Sequence, residues 1–144
     1  DSDDGCDCLP RCSTDGNRMD RHQIAAIKIK QGDAVTDSAE AYYLMRERGI
    51  KNVIIVGVHT NMCVLGRPFS IRQMVYQGQN VALVRDMTDT MYNPERPPGV
   101  DHFTGTDLVI EHIEKFWCPS FTSTDITGKE AFRFKEDKRK KSQD

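Results

Sequence analysis

The run Asn52-Val53-Ile54-Ile55-Val56 constrains this chain more than any other segment. Its β-branched residues favour extended backbone. A strand turns successive side chains to opposite faces, so a run that is apolar throughout calls for cover on both. The expected setting is a central strand of a parallel sheet. Directly after it comes Gly57-Val58-His59-Thr60-Asn61-Met62-Cys63-Val64, and then a segment with helical periodicity. That order puts a cysteine near the carboxyl end of a strand, close to the start of a helix. Backbone N–H groups and the helix dipole favour negative charge there, and the thiolate is the reactive form of cysteine. A buried structural cysteine is the plainer reading, and position alone leaves both open.

Alternating elements surround this strand. Residues 22–30 carry a short β-prone run that ends at Lys30. Asp37 as N-cap, with Glu40 three residues later, predicts a helix start. Ala41, Leu44, Met45 and Arg48 continue that helix and Gly49 stops it. A second helix is expected beyond the cysteine, running to about Gln77 and closed by Gly78. Residues 80–85 read as another strand, with Asp86 at its end. Residues 87–105 form a loop holding Pro94, Pro97 and Pro98, and structureless connections this long are usually functional or mobile. Thr104 or Thr106 is expected to cap a helix with Leu108, Val109, His112, Ile113 and Phe116 on one stripe. Residues 120–123 are a short strand-like piece.

Strands alternating with helices predict an α/β fold, with three layers (α/β/α) built on a mostly parallel sheet. One domain is expected over 1–128, with 1–22 a polar, cysteine-rich loop and 129–144 a charged C-terminal tail. In such sheets ligands sit outside the carboxyl ends of the strands. Lys30, Cys63 and Asp86 all fall there. Asp86 could serve as a base, but a strand-end aspartate that accepts nearby backbone N–H groups is the plainer reading.

The net charge of −2 gives no bulk attraction to nucleic acid or to a membrane surface. The basic run Lys138-Arg139-Lys140-Lys141 reads as solvated tail. No stretch reaches the roughly 18 apolar residues of a membrane helix. The expected partner is a small-molecule substrate, not a nucleic acid or a membrane. The chain opens in loop-like sequence without an initiator Met, and it is expected to be N-terminally incomplete. Its five cysteines are an odd number, which argues against a disulfide scaffold and for a reduced, cytoplasmic setting. Cys6, Cys8 and Cys12, with His22, could hold zinc. Their Cys-x-Cys opening is not a common structural-zinc spacing, so no cofactor is expected and a plain thiol or disulfide loop is preferred. Asp1-Ser2-Asp3-Asp4-Gly5 hints at a calcium loop, but the EF-hand register fails.

The stretch from Gly57 to Val64 resembles the Gly-Val-x-Thr-x-x-Cys-Val pattern of the isochorismatase-like cysteine hydrolases, which include nicotinamidases and carbamoylsarcosine amidohydrolases. Lys30 stands thirty-three residues before Cys63, where many members carry a lysine, and residues 81–86 look like the family's strand after the nucleophile helix. The resemblance covers roughly residues 24–117. It implies a Cys–Asp–Lys catalytic triad, with Cys63 as nucleophile and Lys30 as its cation. It implies a cis peptide bond before His59, and an oxyanion hole made by the N–H groups of His59 and Cys63. It implies hydrolysis of a small amide, ester or related bond through a covalent thio-intermediate, and a homo-oligomer. Three features depart from the family. The Asp-x-Gln-type motif that supplies its aspartate has no counterpart here. Arg67, followed by Pro68, stands where many members have Thr, and could hold an anionic substrate. Gln31-Gly32-Asp33 follows the lysine in place of an aromatic and a Ser-Ala-Phe-like run. A non-catalytic binding or assembly subunit with the same fold is the alternative function.

Overall fold

The Val/Ile run forms β1, Asn52–Val58, in a computed structural model that describes residues 25–36 and 38–139. Upstream lies α1, Glu40–Glu47, and Gly49 comes after it at φ +67°, a backbone region that suits glycine. The proposed N-cap Asp37 lies outside the described residues. Downstream come α2 (Ile71–Tyr76), β2 (Asn80–Asp89), α3 (His102–Phe116), β3 (Ser120–Phe121) and α4 (Thr124–Thr127). The three strands pair in parallel in the order β1-β2-β3. The α/β class and the parallel sheet are therefore as expected.

β1 and β2 run in step from Asn52 opposite Asn80 to Ile55 opposite Leu83. Then the register slips, and Gly57 lies opposite Thr88. The extra length in β2 is a bulge, the device by which a strand re-aims its later residues. β2 consequently reaches Asp89 rather than stopping at Arg85, and Asp86 sits within it rather than at its end. Gly57 takes φ +104° beside this slip, a conformation that would strain any residue with a Cβ.

The core lies on one face of the sheet. Val81 and Leu83 of β2 meet Ile71 and Met74 of α2, Ile110 and Ile113 of α3, and Cys118, all buried. Tyr42 and Met45 of α1 and Ile55 of β1 pack against this cluster. Three helices thus cover the same side. On its other face β1 exposes Ile54, Val56 and Val58 at 55, 53 and 59%. Among the described residues nothing covers that face, and β1 is the edge of the sheet.

Four expectations need correction. β1, expected as a central strand covered on both faces, is an edge strand covered on one among the described residues. Residues 27–30 form no strand: they lack a pairing partner, and Ile27 and Ile29 are exposed. The cap of α3 is Asp101, whose carboxylate accepts from the N–H groups of Phe103 and Thr104, so the helix starts before either threonine. Arg139 is only partly exposed. It pairs with Asp107 and Asp137, and its guanidinium lies over the Phe103 ring. These contacts, a stack of Phe134 on Phe103 and the Phe132 N–H on Asp86 dock residues 129–139 against β2 and α3. No described helix is long and apolar enough to cross a membrane.

Candidate active site

β1 ends at Val58, and the Val58–His59 peptide bond is cis, as the resemblance implies. Thr60–Val64 then winds as one π-helical turn. Such turns are rare and recur at functional sites. His59 is its N-cap, and its carbonyl accepts from the N–H groups of Met62 and Val64 but not from that of Cys63 between them. The His59 N–H has no backbone acceptor among the described residues. Cys63 is a free, partly exposed thiol. Its carbonyl accepts from the Arg67 N–H at 3.2 Å, and the chain breaks at Pro68 before α2 begins at Ile71. The long helix that the dipole argument needs is therefore split, and a short helical stretch, 60–66, carries Cys63 beyond its strand.

The turn is held to the end of β2. Thr60 is fully buried, and its Oγ1 lies 2.6 Å from Thr88 Oγ1. Thr88 Oγ1 donates to the Gly57 carbonyl at 2.8 Å. Asn61 donates through Nδ2 to the Met91 carbonyl, and its Oδ1 accepts from the Met91 N–H, both at 3.0 Å. Past Met91 the loop is closed by His102. Its Nε2 lies 2.8 Å from Asp89 Oδ1 and its Nδ1 3.0 Å from the Tyr92 carbonyl. A carbonyl only accepts, so Nδ1 donates. The Tyr92 ring packs against Gly105, where an added Cβ would meet it at 2.4 Å.

Two cavities flank this region, and Cys63 lines neither. One, of about 280 Å³, lies on the Asn61 and Leu65 side of the turn and is largely apolar, with Tyr92, Leu108 and His112 among its other walls. The second, of about 370 Å³, lies between β2, α3 and the docked 129–139 segment.

Lys30 is exposed in the irregular segment before α1, with its backbone N–H on Asp33 Oδ2 at 2.7 Å. Its ammonium takes no hydrogen bond or ion pair among the described residues. Arg67 is exposed in the turn between Cys63 and α2. Asp86 accepts from the N–H groups of Ser123 and Phe132 and from the Ser123 hydroxyl, so it binds backbone N–H groups as read, but from within β2 and with partners far along the chain rather than in a local turn. Cys118 is buried, which pushes its thiol pKa up. Cys6, Cys8, Cys12 and His22 lie outside the described residues. Among the described residues no cluster of side chains could hold a metal ion. Sequence reading missed Thr88, Asp89, Asn61 and His102. Thr88 and Asp89 carry no signal until β2 is known to extend to them.

No family model matches this chain, and no curated protein sequence matches it significantly. Among solved structures the chain is similar to a cysteine hydrolase from Pseudomonas syringae pv. phaseolicola 1448A, with a TM-score of 0.60 and 19% identity. The match covers 73% of this chain and 52% of that one, so the chain spans about half the length of the structure it matches. At this identity the likeness is one of architecture. The chain has the α/β fold of a cysteine hydrolase, built on a parallel sheet.

Proposed function

We propose that this chain is an isochorismatase-like cysteine hydrolase in which Cys63 attacks a small amide, ester or related carbonyl. The observation that carries the reading is the turn itself. A partly exposed thiol lies just past the carboxyl end of β1; the His59 carbonyl takes the N–H groups on either side of Cys63 but not its own, and the His59 N–H has no backbone acceptor among the described residues. The thiol proton leaves to water, and the thiolate sulfur bonds to the carbonyl carbon. The resulting oxyanion takes the two N–H groups, the general device for stabilising such charge. The intermediate collapses to a thioester and expels an amine or alcohol, which takes up a proton from water. A second water cleaves the thioester, giving the acid and restoring the thiol. Lys30 is the cation of the triad and Arg67 the contact for an anionic substrate. Asp86 is not the base, because three donors already occupy it. A cytoplasmic homo-oligomer acting on a small molecule completes the reading. The alternative, a non-catalytic binding or assembly subunit, draws on the apolar face that β1 exposes.

The test is hydrolysis of p-nitrophenyl acetate by the full chain. A burst of nitrophenol, one per protein, is expected and should vanish in Cys63→Ala. Lys30→Ala should slow turnover by about tenfold to hundredfold, the worth of one charge-assisted contact. Lys28→Ala is the control. A burst that survives Cys63→Ala contradicts the assignment, and equal small effects at Lys28 and Lys30 contradict the role of Lys30.

A further inference from the structure

We propose that Asn61 and Thr88 are positioning residues that aim the Cys63 turn from the end of β2. This rests on the reading of Cys63 as nucleophile. At the ends of the π-helical turn the His59 carbonyl holds Met62 and Val64, the Met62 carbonyl holds Leu65, and the Cys63 carbonyl holds Arg67. Further restraints come from Thr88 of β2 and from Met91 just past its end. Thr88 spends its one hydroxyl proton on the Gly57 carbonyl, so the 2.6 Å contact with Thr60 must carry the proton of Thr60. The direction is therefore Thr60 to Thr88 to Gly57. Thr60 is fully buried and Thr88 4% exposed, so water cannot replace either bond. Asn61 grips Met91 through both its amide oxygen and its amide nitrogen. A flipped amide would set donor against donor, so the pair fixes one orientation.

Together the two tethers hold residues 57, 60 and 61, on both sides of His59 and just ahead of Cys63. β2 is in turn anchored in the core by Leu83, which is fully buried. The aim of the His59 and Cys63 N–H groups is thus set from a neighbouring strand. The Asn61 tether reaches the turn through an exposed side chain that bears little on the core.

The experiment uses the full chain with p-nitrophenyl acetate as probe and separates burst amplitude from acylation rate constant. Amplitude counts competent sites, and the rate constant reads their geometry. Asn61→Ala and Thr88→Val should keep the wild-type amplitude and lose about tenfold or more in rate constant, the scale of a small misplacement of a reacting group. Thr88→Ser keeps the hydroxyl and should restore the rate. A folded Asn61→Ala with the wild-type rate constant overturns the proposal, as does a loss confined to amplitude. If Thr88→Val does not fold, Asn61→Ala alone decides. A burst that survives Cys63→Ala overturns the nucleophile reading itself, whereas a burst lost there but unchanged in Asn61→Ala overturns only the tethers.

Discussion

Three donors converge on the carboxylate of Asp86. Burial works to raise its pKa, but the Ser123 hydroxyl and the N–H groups of Ser123 and Phe132 outweigh burial and hold it below the ordinary carboxylate value. The native state therefore binds fewer protons here than the unfolded chain does in the mildly acid range. The stabilisation is present above the unfolded carboxylate pKa and is lost as pH falls through the lower folded one. Asp86→Asn should cost about 1–3 kcal/mol at neutral pH, since the amide turns a donor toward donors. The gap from wild type should narrow in acid. Urea unfolding at neutral pH and near pH 3 measures both; equal stabilities at neutral pH would contradict this role. Asp86→Asn should leave the acylation rate constant of the folded protein intact. At the scale of the residue much was legible: Cys63 lies past its strand as read, and Asp86 binds backbone N–H groups. The partners of Asp86 were not legible, because Ser123 and Phe132 lie thirty-seven and forty-six residues away.

β1 announced itself because four β-branched residues in succession have few other uses. α1 and α2 stop near Gly49 and Gly78, both at positive φ, as local chemistry requires. The end of β2 was hidden. Asp86-Met87-Thr88-Asp89 reads as loop, and only the register slip beside Gly57 keeps it in the sheet. Residues 27–30 failed for the opposite reason: they have strand-forming side chains but no strand to pair with. Asp101 is a good N-cap by type, and the apolar stripe beginning at Leu108 drew attention too far along the chain. The same elements predict an asymmetry within the sheet. Leu83→Ala should cost about 2–5 kcal/mol, because the cavity opens in the core. Val56→Lys, on the exposed face of β1, should change stability by no more than about 1 kcal/mol. Urea midpoints compare the two. A Val56→Lys variant that unfolds as readily as Leu83→Ala would mean that this face is covered.

Among the described residues, α1, α2 and α3 enclose the core from one side of the sheet, and the proposed site lies at the carboxyl ends of β1 and β2. The docked segment 129–139 adds a second anchorage to β2. Asp137 and Arg139 hold one another charged there, with the Asp137 pKa pushed down and that of Arg139 pushed up. The fold matches about half of a cysteine hydrolase. The most direct measurement is to quench the full chain in acid during the p-nitrophenyl acetate burst and map the acetyl group by peptide mass spectrometry. The expected result is acetyl on the peptide holding Cys63 and none on the peptide holding Cys118, whose thiol is buried and held protonated. Acetyl on Cys118 or on another residue, with Cys63 unmodified, would contradict the assignment of Cys63 as the nucleophile.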